Sequence, residues 1–339
     1  MSVAYFEQKK EMRGMVFNGK GRMELQELPI PQCGPSQLQI KVQTCGICRT
    51  DLHIVTGELD RPNLPLIPGH QIVGKVTEVG SETSGFQIGD SVGVPWLGYT
   101  CGVCKYCKSG QENLCDEARF TGYHINGGFA EYTVADYRFC FHIPETFSPV
   151  YAAPLLCAGL IGYRAYSMIR SAEAIGLYGF GSAAHIVIQV ARWEGKRVFA
   201  FVRPGDDKTR EFAKKMGAVW ADYTDEYPPE EMDASIIFAP AGELVPSALA
   251  AVAKGGTVVC GGIYMSDIPS FAYDLIWGER SIKTVANLTR EDGEAFFKIA
   301  PLVPVQCEVT TFTLEQANEA LIALKQGSFN GSGVIVVDQ

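Results

Sequence analysis

Cys101, Cys104, Cys107 and Cys115 fall within fifteen residues in the run TCGVCKYCKSGQENLC, spaced C-x2-C-x2-C-x7-C. Four soft thiolates at such spacing close a tetrahedral metal site, and zinc is the usual occupant. Two rival readings are weaker. Disulfides are disfavoured because the intervening residues are polar and loop-like, and a reducing compartment keeps thiols free. Iron–sulfur proteins begin with the same C-x2-C-x2-C run, but there the fourth cysteine follows after three residues and precedes Pro. Here it follows after seven and precedes Asp116. A closed four-cysteine site stabilises a loop and does no chemistry, so the reaction must lie elsewhere.

Gly179-Phe180-Gly181-Ser182-Ala183-Ala184 is the second chemical signature, a G-x-G-x-x-A loop between a strand pattern (Ala174–Tyr178) and a helix pattern (Ala183–Trp193). In that setting the first Gly makes a tight turn and the second lets backbone N–H groups approach a pyrophosphate. The small third residue lets helix and strand pack, and the helix N-terminus favours the anion. The loop therefore reads as a dinucleotide site. NAD and NADP differ at the end of the second strand, where a carboxylate would bind the ribose 2′-hydroxyl. The sequence has Arg203 there, in FVRPGDDK. A guanidinium suits a 2′-phosphate, so NADP(H) is favoured over NAD(H). The competing reading is an Arg that points to water or stacks on adenine, with Asp206 and Asp207 close by.

These sites need elements to hold them. Residues 1 to about 150 are rich in Gly and Pro with short β-like runs at Gln37–Val42, Ile72–Val79 and Ser91–Val94. That texture predicts a β-rich domain with long functional loops. Beyond about 160, strands at 174–178, 197–202, 235–239 and 257–260 alternate with helices at 183–193, 206–216 and 243–253. This rhythm predicts an α/β domain with a doubly wound parallel sheet. After about 300 the β-like texture returns, with a helix at 314–326 and a last strand at 333–337. The nucleotide-type domain therefore looks inserted near the end of the β-rich one.

The 339 residues suit two domains, and 47% hydrophobic content suits a full globular core. A net charge of −9 argues against nucleic acid or an anionic membrane as partner. The opening MSVAYFEQKKEMRG lacks the apolar run of a signal peptide, and Tyr151–Tyr163 is too short an apolar stretch to span a bilayer. With eleven cysteines, metal ligation in a reducing cytoplasm is the expectation.

Several further motifs occur in order: CGICRTDLH (45–53), PGHQIVGKVTEVG (68–80), NGGFAEYTVAD (126–136) and APLLCAG (153–159). Together with the cysteine run and the glycine loop they resemble the zinc-dependent medium-chain alcohol dehydrogenases over nearly the whole chain. The GHQ triplet, the YGFG loop and the VRPGD strand end resemble a microbial branch near the cinnamyl-alcohol-type enzymes. The resemblance implies a GroES-like catalytic domain (1–158 and 298–339, with a structural zinc lobe at about 96–116) and a Rossmann domain (159–297), with the active-site cleft between them. It implies two zinc ions per chain, the catalytic one held by Cys48, His70 and Cys157; His70 after Pro-Gly carries no ligand signal of its own. By the same match Asp51 fixes the His70 tautomer, and Thr50 takes the alcohol proton. His53 then passes it on through the nicotinamide ribose, and Arg49 faces the pyrophosphate. Taken by themselves, Thr50 reads as a turn residue and His53 as a surface one.

The implied reaction is reversible hydride transfer between NADP(H) and a primary aliphatic or aromatic alcohol. Trp96 and Leu97 are expected to line the substrate channel, with Leu59 and Ile263 nearby and Ile263 also on the cofactor; core packing is the alternative for all four. Two departures stand out. The residue after the zinc-binding His is usually Glu and here is Gln71, which cannot act as an anionic stand-in ligand. Many relatives place a C-terminal Arg on the cofactor phosphates, where this chain has Gly331; Arg290 either compensates or is an exposed helix-start Arg. The family assembles as homodimers or homotetramers through an edge strand, here near Ser281–Ala286. Cys33, Cys45, Cys140, Cys260 and Cys307 are left as packing residues.

Overall fold

The structure, a computed structural model, describes residues 10–59, 62–303 and 305–337. Its elements run β1 (Glu11–Val16), β2 (Glu24–Pro29), β3 (Gln37–Gly46), α1 (Arg49–Thr56), β4 (Ile72–Val79), β5 (Ser91–Val94), β6 (Leu97–Tyr99), α2 (Lys105–Lys108), β7 (Arg119–Phe120), β8 (Tyr132–Asp136), β9 (Phe141–His142) and α3 (Pro149–Ala152). There follow α4 (Ala158–Ser167), β10 (Ala174–Tyr178), α5 (Ser182–Trp193), β11 (Arg197–Val202), α6 (Asp207–Lys215), β12 (Trp220–Tyr223), β13 (Met232–Ile237), α7 (Leu244–Ala251), β14 (Val252–Cys260), β15 (Ser281–Thr284) and α8 (Arg290–Ile299). The chain closes with β16 (Val309–Thr313), α9 (Ala317–Gln326) and β17 (Ser332–Val336).

Among the described residues, β10 to β15 form one parallel sheet in the order β12-β11-β10-β13-β14-β15. Numbered within the sheet this is 3-2-1-4-5-6, the dinucleotide-binding order, whose crevice opens where the strands after β10 and β13 part. Every residue of β10 is buried, as expected of a strand covered on both faces. The second sheet runs β16-β17-β3-β4-β5-β9, with β8 also paired to β3. It is antiparallel except at β16–β17. In β3 the side chains of Leu38, Ile40 and Val42 are buried while Gln37, Gln39, Lys41 and Gln43 are half-exposed, the period of two of a one-faced sheet.

One apolar core joins the two parts. It runs from Leu97, Phe139 and Leu155 through Phe296 to Ile175 and Val198. At its centre α4 crosses α8, with the Tyr163 and Phe296 rings 5.4 Å apart. Gly159 permits this, since a Cβ there would lie 2.7 Å from the Phe296 ring. The elements differ from expectation mainly at their ends. Asp206 lies outside α6 as its N-cap, accepting from the Thr209 N–H at 3.1 Å. The strand expected at 235–239 begins and ends earlier, and Leu314–Gln316 forms a 3-10 turn ahead of α9. The β1–β2 hairpin lies where no strand was expected. Among the described residues no helix is long and apolar enough to cross a membrane.

Candidate metal and cofactor sites

Cys48 is the N-cap of α1, directly beyond β3. Asp51, three residues on, is wholly buried. A buried carboxylate must be hydrogen-bonded, and Asp51 accepts from the Cys48 N–H (2.9 Å), the Gly69 N–H (3.2 Å) and His70 Nδ1 (3.0 Å). With Nδ1 donating to Asp51, Nε2 is the nitrogen left to meet a cation, and it is buried without a partner among the described residues. Cys157 enters from an irregular junction ahead of α4, and its Sγ lies 3.8 Å from that of Cys48. The donor atoms of Cys48, His70 and Cys157 all lie within 4.8 Å of one another.

Protonation at this cluster is shared. The Cys157 thiol holds Cys48 well below its ordinary value by hydrogen bonding, against burial and with help from His70. Cys157 is pushed well above by the same bond and by burial. Burial opposes a charged His70, but the charge and hydrogen bond of Asp51 prevail and push it up to about 10. Two thiols and an imidazole that hold protons so unevenly are a donor set that a divalent cation would deprotonate and satisfy. The spacing fits too. Tetrahedral zinc with Zn–S of about 2.3 Å sets sulfurs about 3.8 Å apart.

Around this cluster Thr50 is buried with Oγ1 3.6 Å from the Cys48 Sγ. His53, one turn along α1, is buried; its Nδ1 bonds Glu58 and its Nε2 has no partner among the described residues. The Trp96 ring meets His70 edge-on at 4.9 Å and stacks on Phe120 and Tyr123. Leu97, the first residue of β6, has its side chain wholly buried in the central core rather than lining a channel. Leu59 packs partly buried beside the catalytic-sheet core. Ile263 is 42% exposed on the loop after β14. Arg49 is exposed in the first turn of α1, and Gln71 is buried against Gly46.

The other cluster is local. Cys104 caps α2 and accepts from the Cys107 N–H at 3.5 Å, and the Cys101 N–H reaches the Cys115 Sγ at 3.5 Å. Sulfur separations of 3.5 Å (Cys104–Cys107, Cys101–Cys115) and 4.0 Å (Cys101–Cys107) again match a tetrahedral edge. Backbone N–H groups of Val103 and Cys104 bring Cys101 down to about 7, while burial pushes Cys115 up to about 11. The lobe is latched at Glu112, which accepts from the Arg290 N–H (3.0 Å) and Nε (3.1 Å), and at Asn113, whose Nδ2 donates to the Ala286 carbonyl (2.7 Å). Arg290 also lies over the Phe139 ring. Of the two readings of Arg290 the structure matches the helix-start one: it opens α8 with its side chain 41% exposed and its Nε on Glu112.

At the dinucleotide loop Gly179 has φ 86°, and a Cβ on it would lie 2.9 Å from the Ala239 N, so the tight turn requires glycine. Gly181 faces open space. The Phe180 side chain is buried against Phe212, so it offers a ligand only its backbone. Ser182 and Ala183 open α5, and the Ser182 hydroxyl is bonded to Ser332 beside Gly331. Arg203 is exposed and has no ion pair among the described residues. Both nearby acids are occupied: Asp206 caps α6, and Asp207 pairs with Arg210 (2.6 Å) and takes the Tyr223 hydroxyl (2.8 Å).

Known proteins are similar to this chain in sequence and in fold. Residues 34–145 match the alcohol dehydrogenase GroES-like domain. The probable alcohol dehydrogenase AdhA of Mycobacterium tuberculosis is 41% identical over 94% of this chain and 93% of its own length. The chain belongs to the zinc-dependent medium-chain alcohol dehydrogenases. An alcohol dehydrogenase of Geobacillus stearothermophilus is 35% identical over 96% of this chain and 98% of its own. A cinnamyl alcohol dehydrogenase from Sorghum bicolor superposes with a TM-score of 0.88 at 26% identity, covering 96% of this chain and 98% of that one.

In this alcohol dehydrogenase three neighbours of the site went unnamed in the sequence reading. Glu58 binds His53, Tyr264 lays its ring 5.4 Å from that of His53, and Glu112 holds Arg290. Only Glu58 left a trace in sequence, as an acid directly after a helix-ending Gly. The other two join residues 211 and 178 positions apart, which no local pattern marks.

Proposed function

We propose that the chain oxidises primary aliphatic or aromatic alcohols, and reduces the matching aldehydes, with NADP(H) as hydride carrier and one catalytic and one structural zinc. The observation that supports this best is the Cys48, His70 and Cys157 cluster, with two half-buried thiols and a buried, unpartnered His70 Nε2, set beside Thr50 and His53. Cys48, His70 and Cys157 would hold the catalytic ion, and Cys101, Cys104, Cys107 and Cys115 the structural one. Bound zinc supplies a Lewis acid that makes the alcohol hydroxyl acidic, and the nicotinamide supplies the hydride acceptor.

The chain's own residues do the rest. Asp51 fixes the His70 ring so that Nε2 points inward. Thr50 Oγ1 would accept the hydroxyl proton, and His53 Nε2 would take it on toward solvent. Gly179, Gly181 and the N-terminus of α5, with Arg49, hold the pyrophosphate. Arg203 takes the 2′-phosphate, a role helped by the absence of a competing ion pair and by the engagement of Asp206 and Asp207 elsewhere. Trp96, Leu59 and Ile263 give an apolar approach, and Gln71 backs His70 without a charge. The free edge of β15 suits a homodimer or homotetramer, and the unpaired cysteines suit the cytoplasm.

Replacing Cys48 by Ser tests the assignment. Turnover should fall more than about a thousandfold while dinucleotide binding, read by fluorescence titration, stays. Full turnover would overturn the metal reading. Rates with NADPH and NADH across aliphatic and aromatic aldehydes test the rest; a strong preference for NADH would overturn the Arg203 assignment.

A further inference from the structure

The four-cysteine lobe holds the cofactor domain at both ends of one short segment. Its 3-10 turn, Glu112–Leu114, directly precedes Cys115. From that turn Glu112 takes the Arg290 N–H and Nε, and Asn113 Nδ2 donates to the Ala286 carbonyl at 2.7 Å. Both side chains are buried. The Ala286 carbonyl decides how the Asn113 amide is turned, since only its nitrogen can donate. The Cys115 N–H returns to the Glu112 carbonyl at 3.1 Å, so the turn is tied to a residue of the metal cluster.

Between the two held points, Asn287 takes φ 60°, the left-handed region that few residues besides glycine adopt. Its Nδ2 is buried without a partner among the described residues, and Leu288 beside it is anchored in the central core. This turn leaves the carboxyl end of β15. The glycine loop, Arg203 and Ile263–Tyr264 leave the same end of β10, β11 and β14. The turn runs alongside the last of these: the Val285 N–H donates to the Cys260 carbonyl at 3.0 Å, and a Cβ on Gly261 would lie 3.5 Å from Val285 Cγ1. A dinucleotide lies across such a sheet with one half on each side of the first strand, here β10. Arg203 puts the adenosine half over β11, which leaves β13, β14 and β15 for the nicotinamide half.

We propose that Asn113 is a positioning residue for the cofactor: by holding the Ala286 carbonyl it sets the left-handed turn at Asn287, so that the metal lobe shapes the wall that receives the nicotinamide end. This rests on the reading of the chain as a nicotinamide dinucleotide enzyme. A left-handed residue other than glycine persists only where its surroundings hold it, and such residues gather at ligand sites. Here the surroundings are the Asn113 bond on one side and the buried Leu288 on the other. The lobe touches no substrate on this account. It acts on the cofactor through one carbonyl, 173 residues along the chain from Asn113.

The test compares NADPH with 2′-phospho-ADP-ribose, which keeps the adenosine, the 2′-phosphate and the pyrophosphate but lacks the nicotinamide. NADH and ADP-ribose form the matching pair. Each is titrated by calorimetry into the zinc-loaded enzyme, as wild type and as Asn113→Ala, Asn287→Ala and Asn287→Gly. N113A should bind the whole cofactor about tenfold more weakly, the scale of one buried hydrogen bond, and bind the fragment as the wild type does. N287A and N287G both remove the side-chain amide, so the difference between them reads the backbone alone. N287A must carry a Cβ at positive φ and should lose more affinity for the whole cofactor than N287G, again with the fragment unaffected. Elemental analysis should find two zinc per chain in N113A. If that variant sheds the lobe metal, the two Asn287 variants, which lie outside the lobe, carry the test. Equal weakening of cofactor and fragment would show that Asn113 acts through general stability and overturns the proposal. Unchanged cofactor binding in N113A overturns it as well, as do N287A and N287G that bind the cofactor alike. A wild type that binds neither member of either pair removes the cofactor reading itself.

Discussion

The two cysteine clusters use the same chemistry and are built in opposite ways. In the lobe all four donors come from one fifteen-residue run, and their own loop's N–H groups polarise them. In the cleft the two thiols are 109 residues apart in sequence, and the histidine comes from a third segment. There the donors are set by a wholly buried Asp51, by the N-terminus of α1 and by the junction ahead of α4. A local cluster makes its own geometry, so its metal stabilises the loop that binds it. A dispersed cluster borrows geometry from a finished fold, so its metal is free to act on something else. The two should therefore separate cleanly under mutation.

The largest separation is between Cys48→Ser and Cys107→Ser. The first should abolish turnover yet leave the thermal midpoint within a few degrees, because the surrounding core persists. The second should lower the midpoint by on the order of 10 °C, since losing several kcal/mol of metal binding moves a domain of this size by about 2–4 °C per kcal/mol. Each should lose one of two metals in elemental analysis. If Cys107→Ser abolished turnover without a change in midpoint, the comparison would fail.

Asp51→Asn is the next step down. The amide presents two hydrogens where Cys48, Gly69 and His70 present three donors, so one or more of these bonds must be lost. Affinity for the cleft metal should fall about 10–100-fold, as for other outer partners of ligating histidines. The lobe metal should be untouched. Competition with a chromogenic chelator reads both, and equal losses from the two clusters would show that Asp51 acts through general stability.

The same contrast governed what could be read in the sequence. The lobe was legible because its spacing is its structure. The glycine loop was legible because Gly179 answers a local backbone need, and the alternation from 174 to 260 announced the parallel sheet. Cys48, His70 and Cys157 carried no shared spacing; only the resemblance to a family joined them, and the fold then brought them within 4.8 Å. Leu97 and Arg290 follow their alternative readings, core packing and helix start, for a physical reason. The central core takes up the Leu97 side chain although its neighbour Trp96 faces the site, and a buried Glu112, remote in sequence, binds the Arg290 Nε. Side-chain direction and long-range ion pairs are properties of the finished fold.

The smallest effect sharpens the comparison at the latch between lobe and cofactor sheet. Burial opposes ionisation of Glu112, but the Arg290 N–H and guanidinium hold its carboxyl below the ordinary value. A depressed folded pKa means the latch contributes fully above about pH 4.3, the unfolded value, and is lost as pH falls from there. Glu112→Gln keeps the size and removes the charge. Arg290, 41% exposed at its side chain, can return to water, and the Asn113 bond to the Ala286 carbonyl remains. The cost should be about 1 kcal/mol, a midpoint shift of roughly 2 °C at pH 7 that vanishes near pH 3. Chelator extraction of the lobe metal should quicken a few-fold while the cleft metal leaves at its old rate. A shift that persisted at pH 3 would mean the carboxylate charge is not what binds lobe to sheet.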